Sequence, residues 1–168
     1  MLKHIGVCCW VVGVLGACAP TEQLPSSAAQ IESVGILAVQ AHKQSAIDQL
    51  LRWAERGHPV AQRELALVYA KYPDMENPKT SAAAWLQKAA LAGDLEAQLA
   101  LAQAFHGGTL GLKLDDAQAW TWFEAAAQQG DGRASFMLAR MASHGQGTPQ
   151  SLERSVHWLQ VAAQQKNA

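Results

Sequence analysis

The amino-acid sequence predicts an all-α protein, a right-handed α-solenoid of stacked antiparallel helix pairs. The first observation is a repeat, because tryptophans recur at 85, 122 and 158, which is 37 and then 36 residues apart. Glycines recur at the same spacing, and an alanine and a leucine follow each glycine four and eight residues later. These sets are Gly57, Ala61 and Leu65, then Gly93, Ala97 and Leu101, then Gly130, Ala134 and Leu138. A fixed period of this size is typical of stacked helical repeats.

The second observation is composition. From Ala28 onward, Ala, Leu, Gln, Glu and Lys dominate, and no stretch alternates apolar and polar residues as a strand does. The predicted helices span about 28–41, 46–56, 59–71, 78–92, 95–106, 115–129, 132–143 and 149–165. One helix pair cannot cover its own apolar stripe, so neighbouring pairs are expected to stack.

The first seventeen residues have the features of a signal peptide. Lys3 precedes an apolar run from Ile5 to Ala17, which is shorter than the roughly 20 residues that span a bilayer. The segment LGAC that ends at Cys18 resembles a bacterial lipobox, in which the chain is cut before the cysteine and that cysteine carries lipid. Ordinary cleavage after Ala19 is the alternative, but Pro20 would then follow the cleaved bond. The sequence therefore predicts a signal peptide at 1–17 and lipidation of Cys18.

The cysteine count agrees with this prediction. Cys8 and Cys9 lie within the predicted signal peptide, so Cys18 is the single cysteine of the mature chain and no intrachain disulfide is expected. Resemblance to Gram-negative lipoproteins implies an outer-membrane anchor facing the periplasm, because Ala19 is not an aspartate-type retention signal. A cysteine with several acyl chains anchors stably in a membrane. Residues 18–27, with two prolines and small polar residues, are predicted to be a flexible tether.

Helix ends are predicted from glycine, aspartate and proline. In Gly93-Asp94 and in Gly130-Asp131, the glycine is expected to close one helix and the aspartate to cap the next. The pair Asp115-Asp116 is expected to begin a helix, where negative charge offsets the helix dipole. Three further starts are predicted at Asn77-Pro78, at Thr148-Pro149 and at a capping box formed by Ser45 and Asp48.

The recurring tryptophan, Ala-Ala pair, Gly-Asp turn, alanine, leucine and tyrosine resemble the Sel-one-like repeat, a relative of the tetratricopeptide repeat. The loop HGQGT at 144–148 matches the glycine loop of that family, and HGGTLG at 106–111 matches it more loosely. The resemblance covers about residues 46–168. It implies a helical repeat domain over 28–168, with leading helices at 28–57 and repeats at about 58–93, 94–130 and 131–168. The segment KYPDMENPK in place of the first glycine loop and Ala142 in place of an aromatic residue depart from the pattern.

The resemblance also implies where a partner binds, because in tetratricopeptide-like arrays the first helix of each pair lines the concave face. Positions three, six, ten and thirteen after each glycine are expected to point into that groove. They are Val60, Arg63, Leu67, Ala70, Glu96, Leu99, Gln103, His106, Arg133, Phe136, Arg140 and Ser143. We take Arg63, Leu67, Leu99, Gln103, His106, Arg133, Phe136 and Arg140 as candidate contact residues. Three arginines around Phe136 suit an acidic or extended peptide segment; the alternative is a solvated face without a partner.

The tryptophans divide into two groups. Trp85, Trp122 and Trp158 recur in phase, which predicts that they pack in the core. Trp53 and Trp120 are out of phase, and either one, if exposed, is a candidate contact anchor.

Residues that carry chemistry are sparse. None of the six histidines pairs with another histidine or a cysteine at ligand spacing, so no metal site is predicted. The chain has no Ser-x-x-Lys box, phosphate-binding glycine loop or recognisable Ser/His/Asp grouping, so we expect neither an enzyme nor a cofactor. A net charge of −1 gives no indication of a nucleic-acid partner.

These observations favour an outer-membrane lipoprotein that acts as a non-catalytic scaffold or adaptor in the assembly of an envelope complex. Its expected partners are other envelope proteins or extended peptide segments, together with the membrane that holds the lipid anchor. Two alternatives stay open at this stage. One is a cell-wall-associated ligand-binding protein or enzyme, and the other is a structural or motility-associated envelope component.

Overall fold

The computed structural model describes residue 25 and residues 27–75 and 81–166, and all regular secondary structure within them is helical. The helices are α1 (Ala28–Ala41), α2 (Gln44–Glu55), α3 (Pro59–Lys71), α4 (Ala82–Leu91), α5 (Leu95–Gly107), α6 (Asp116–Gln128), α7 (Gly132–His144) and α8 (Leu152–Lys166), with one 3-10 turn at Pro73–Met75. The predicted signal peptide and Cys18 lie outside the described residues. Within the described ranges, none of the helices is both long enough and apolar enough to cross a bilayer.

Successive helices form an array of antiparallel pairs, as predicted. Three-residue connections join α2 to α3, α4 to α5 and α6 to α7, and such short links require the chain to reverse direction. The repeated leucines lie in the centre of the packing, since Leu65 and Leu138 are 0% exposed and Leu101 is 1% exposed. The apolar interior consists of two clusters. One is formed mainly by α1 to α4 and the other by α5 to α7.

The predicted Gly-Asp helix junctions are confirmed. Gly93 and Gly130 adopt φ angles of +87° and +92°, a left-handed conformation that side chains with a Cβ rarely adopt. The Asp94 carboxylate then accepts a hydrogen bond from the Ala97 backbone N–H at 2.8 Å. The Asp131 carboxylate accepts from the Ala134 N–H at 2.9 Å. Each junction therefore ends one helix and caps the next within three residues.

The helix start predicted at Asp115 is confirmed, because its carboxylate accepts a hydrogen bond from the Gln118 N–H at 2.9 Å. The capping box predicted at Ser45 and Asp48 is wrong. Helix α2 begins at Gln44, so Ser45 is already inside it, and Asp48 accepts a hydrogen bond from the Gln44 side chain at 2.8 Å. The side-chain contact between Gln44 and Asp48, one helical turn apart, is present in place of the predicted capping box.

Two starts predicted at prolines are also placed too early. Helix α4 begins at Ala82, with Ser81 as its cap, and Asn77-Pro78 lies outside the described residues. Helix α8 begins at Leu152, and the Ser151 hydroxyl accepts a hydrogen bond from the Arg154 N–H at 3.2 Å. Thr148 and Pro149 instead accept hydrogen bonds from the Arg154 guanidinium. In both cases a serine closer to the apolar run provides the cap.

Glutamines form a repeated contact that sequence reasoning missed. The carbonyl groups of Ala54, Ala90 and Ala127 occupy equivalent positions near helix ends, and a glutamine side chain donates to each of them. The donors are Gln62 at 3.0 Å, Gln98 at 3.1 Å and Gln165 at 2.9 Å. Gln62 and Gln98 lie in α3 and α5, and the equivalent position in α7 is Ser135. The Ser135 hydroxyl donates to the Gln165 side chain at 2.7 Å, and Gln165 contacts the Ala127 carbonyl. Each of these carbonyl groups also accepts a hydrogen bond from a backbone N–H of the turn that follows, so the glutamine adds a second hydrogen bond at the helix end.

The tryptophans are placed only partly as predicted. Trp85 is buried, but Trp122 and Trp158 are half-buried against the second cluster. The hypothesis that Trp53 is an exposed contact anchor is wrong, because it is 1% exposed inside the first cluster. Trp120 is half-buried. Leading helices α1 and α2 pack on α3 and bury Trp53, which the repeat period does not reveal.

Candidate functional site

A groove runs along one face of the array, lined by α1, α3, α5 and α7 and, at its far end, by α8. It consists of four depressions of about 140, 410, 240 and 690 Å³ in order from α1 toward α8. Neighbouring depressions share lining residues, so the four form one continuous surface, which we call the groove. The shared residues are Ile36, Glu64 and Leu67, then Glu96 and Ala100, then Gln103, Arg133 and Met137.

Most of the predicted contact residues lie in this groove. Six of the eight line it, namely Arg63, Leu67, Leu99, Gln103, Arg133 and Phe136. Leu99 is 5% exposed and belongs to the second core cluster. It therefore lies at the bottom of the groove and has little surface with which to contact a partner. His106 and Arg140 lie outside the four depressions.

Some groove residues were missed by counting from the repeat glycines. Glu32 and Ile36 come from α1, which precedes the first repeat and has no glycine in phase. Leu159 comes from α8, the second helix of its pair, and reaches the groove where the array ends. The repeat period does not identify these positions. The one available signal is that Glu32 and Ile36 are one turn apart and so lie on the same face of α1.

Arg63 is held by three carboxylates from different parts of the array. One nitrogen, Nη2, lies 2.8 Å from Glu32 Oε1 and 3.0 Å from Glu64 Oε1, and Nη1 lies 3.3 Å from Asp94 Oδ2. The side chains of Arg63, Glu64 and Asp94 are only 14%, 10% and 7% exposed. Since Asp94 also caps α5, this cluster joins α1, α3 and α5 below the second depression.

Glu64 is the most unusual member of this cluster. Burial raises the pKa of its carboxyl above the ordinary value, although the hydrogen bonds and charge of Arg63 oppose the shift. Both hydrogen bonds from Arg63 go to Oε1. The other oxygen, Oε2, lies against Gly35, where the Cβ of any other residue would clash with it. A glycine in α1 therefore makes room for a buried carboxylate at the edge of the groove.

Arg133 forms a second, more exposed cluster. Its Nη2 lies 2.6 Å from Glu96 Oε1 and 2.8 Å from Asp131 Oδ2. Partial burial by itself would raise the pKa of the Asp131 carboxyl. Hydrogen bonds from Arg133 and from the Ala134 N–H outweigh this effect and hold the pKa below its usual value. The stability that Asp131 contributes is therefore complete above the pKa of an unfolded aspartate. It is lost as the pH falls through the lower pKa of the folded state.

The sign of the groove's charge differs from the one predicted. Five carboxylates, those of Glu32, Glu64, Asp94, Glu96 and Asp131, surround the two guanidinium groups of Arg63 and Arg133. The arginines are thus paired within the protein itself. This arrangement argues against the expectation that they attract an acidic segment.

Exposed apolar side chains lie on both sides of these charged clusters. Ile36 is 53% exposed and Leu67 is 45% exposed at the α1 end of the groove. At the α8 end, Phe136 is 54% exposed and Leu159 is 44% exposed, in the largest depression. The groove therefore alternates along its length from apolar to acidic and back to apolar.

His106 and His144 lie outside the groove and make contacts within the array. His106 Nδ1 lies 2.6 Å from Asp116 Oδ1, and its Nε2 lies 3.4 Å from an Arg140 guanidinium nitrogen. This contact joins the end of α5 to the beginning of α6. Near the end of α7, the Ser143 hydroxyl donates to the Arg140 carbonyl, which the His144 ring also contacts. Within the described part of the chain, no group of three or more His, Cys, Asp or Glu side chains is placed to hold a metal ion.

Comparison with known proteins agrees with this architecture. The family model of the Sel1 repeat, the Sel-one-like repeat named above, matches residues 59–94, 95–131 and 132–167. The structure is similar to a Sel1 repeat protein from Oxalobacter formigenes, with a TM-score of 0.64, 26% identity and coverage of 76% of this chain and 97% of that one. It is also similar to a protective antigen of uropathogenic Escherichia coli strains that displays an SLR fold, with a TM-score of 0.66 and 28% identity. That match covers 83% of this chain and 31% of the antigen.

Two curated proteins are similar in sequence. One is the chitin synthase regulator SKT5 of Saccharomyces cerevisiae, 30% identical over 146 residues, and the other is an uncharacterized protein of Neisseria meningitidis serogroup B, 34% identical over 151 residues. The chain spans 21% and 29% of their lengths. The Sel1 repeat is typically a non-catalytic fold that mediates protein–protein interactions. Since the family model matches more than half of the residues, this chain belongs to the Sel1 repeat family.

Proposed function

We propose that this protein is an outer-membrane lipoprotein that acts as a scaffold, holding a segment of another envelope protein in the groove while an envelope complex assembles. The continuity of the groove carries the binding part of this proposal. Its lining residues come from α1, α3, α5, α7 and α8, so an extended segment that lies along it contacts helices of successive pairs.

The exposed apolar side chains of the groove are a second reason to expect a protein as the partner. Phe136 and Leu159 leave about half of their surface in water at the wide end of the groove, next to Met137. Exposed aromatic residues in concave surfaces are frequent anchors of protein interfaces. We therefore expect Phe136 to receive an apolar side chain of the partner.

The groove is tested by photo-crosslinking in intact envelopes. A crosslinking amino acid at Gln103, which lines two depressions, is expected to capture a discrete partner, and one at Leu91, 72% exposed on α4, is not. Phe136→Ala is expected to reduce the crosslinked product about tenfold or more, as a hot-spot truncation does. The matched control is Leu152→Ala, which removes an apolar side chain that is 72% exposed but outside the groove. Equal crosslinking in both alanine variants would contradict the proposal.

The membrane anchor is the second part of the proposal and is supported by the residues before Ala19. If Cys18 carries the lipid, Cys18→Ser is expected to abolish incorporation of radioactive palmitate and to leave the precursor uncut. Cys9→Ser, a matched change inside the predicted signal peptide, is expected to label normally. Palmitate labelling of the Cys18→Ser protein at the wild-type level would overturn the anchor and, with it, the outer-membrane assignment.

A further inference from the structure

We propose that the groove recognises a cationic segment, one that carries a lysine or arginine side chain between two apolar side chains. This inference rests on the proposed function, since it specifies the chemistry of the segment that the groove holds. It reverses the preference for an acidic partner that the arginine positions in the sequence suggested.

Every nitrogen of the Arg63 guanidinium already donates to a carboxylate of the protein. Its Nε donates to Glu64, its Nη1 to Asp94, and its Nη2 to both Glu32 and Glu64. Arg133 is only partly occupied, because its Nε and Nη2 contact Asp131 and Nη2 also contacts Glu96, but its side chain is 63% exposed. At the second depression, however, an acidic segment would have to displace the ion pairs of Arg63 and approach the carboxylates of Glu32, Glu64 and Glu96.

Two exposed glutamates at the second depression remain as acceptors. The second depression is lined by Glu32, Glu64 and Glu96 with Arg63 as its single cation, so it has an excess of negative charge. The side chains of Glu32 and Glu96 are 50% and 51% exposed, and each contacts an arginine through Oε1, which leaves the second oxygen directed elsewhere. These oxygens are suitable acceptors for an ammonium or guanidinium group.

Glu64 offers a third acceptor at the edge of the groove. Its side chain is 10% exposed, and among the described residues its Oε2 has no hydrogen-bond donor. Glu64 lines both the first and the second depression. Oε2 is not one of the fully buried polar atoms that lack a partner, so a donor that enters from the groove would take the place of water at this oxygen.

Apolar side chains lie on both sides of these carboxylates. Ile36 and Leu67 flank the acidic depression on the α1 side, and Phe136 and Leu159 lie beyond Arg133 on the other. A free cation or a polyamine would use the carboxylates but not these four side chains. A protein segment with apolar residues on both sides of a basic residue uses both kinds of contact.

The test uses the mature lipidated protein in detergent micelles and a phage library that displays random twelve-residue peptides. Peptides that wild type enriches are expected to carry Lys or Arg flanked by apolar residues. Synthetic copies of them are then measured by fluorescence anisotropy. Replacing the basic residue of a peptide by norleucine leaves the protein unchanged and is expected to weaken binding about tenfold, with a larger loss on replacement by glutamate.

Protein variants locate the contact. Glu96→Gln and Glu64→Gln are each expected to weaken the basic peptides, and to have less effect on their norleucine versions. Glu153→Gln, an exposed carboxylate on α8 outside the groove, is the matched control and is expected to change nothing. Thermal melting of each variant shows whether it is folded, and the norleucine comparison does not depend on any variant.

The outcomes separate this inference from the proposed function. Enrichment of acidic peptides whose binding still requires Phe136 would overturn the cationic preference and support the groove. Peptides that bind equally well to Phe136→Ala and to both glutamine variants would overturn both proposals. The same holds if no peptide is enriched above background.

Discussion

Leu101→Ala is expected to lower the free energy of unfolding by about 2–5 kcal/mol, the usual range for a buried leucine that leaves a cavity. Leu101 is 1% exposed and lies at the repeated leucine position of α5, in the middle of the array. Stability in a solenoid is close to a sum of repeat and interface terms, so damage at a central repeat disturbs the interfaces on both sides.

Leu91→Ala is the matched control for this change, since it removes the same atoms from a side chain that is 72% exposed. We expect the control to change stability by about 0.5 kcal/mol or less. Urea denaturation of both variants, followed by circular dichroism, measures the difference. Similar losses in the two variants would contradict the placement of Leu101 in the core.

Arg63→Met is expected to destabilise the protein by about 3 kcal/mol, the lower end of the range for removing one partner from a buried ionic cluster. The substitution leaves the carboxylates of Glu32, Glu64 and Asp94 close together without their shared cation. Replacing Arg63 is therefore a test of stability rather than of partner binding. The matched control is Arg133→Met, whose side chain is 63% exposed and is expected to cost about 0–1 kcal/mol.

The loss caused by Arg63→Met is expected to depend on pH. Burial already raises the pKa of Glu64, and removal of Arg63 takes away the groups that oppose this shift. A carboxyl with a raised folded-state pKa favours folding in its protonated form. The deficit relative to wild type should therefore be largest near neutral pH and shrink as the solution is acidified and Glu64 gains a proton.

A second substitution checks that assignment. Glu64→Gln in the Arg63→Met background removes the buried negative charge, so the double variant is expected to recover part of the lost stability and to lose most of its pH dependence. Denaturation midpoints at several pH values measure both effects. A deficit that is independent of pH, or no recovery in the double variant, would show that Arg63 acts through packing alone.

The sequence by itself determined the helical class, the repeat and most helix boundaries. These features depend on interactions within a few residues, such as the left-handed glycine at 93 and the hydrogen bond from the Ala97 N–H to Asp94. Local competition also explains the errors. Ser81 and Ser151 cap their helices in place of the earlier proline-containing pairs, and Gln44 takes the place of a cap at Ser45.

Only the tertiary structure decided the character of the groove. Arg63 contacts Asp94 across 31 residues, and Arg133 contacts Glu96 across 37. The sequence shows these arginines as cations at groove positions, but Glu32, Asp94 and Glu96 belong to other helices or their caps and are brought near them only when the helix pairs stack. The repeat period places Phe136 in the groove, because Phe136 lies at a fixed distance from a repeat glycine. It cannot reveal that Ile36 and Leu159 also line the groove. Each of those two side chains reaches the groove through long-range packing.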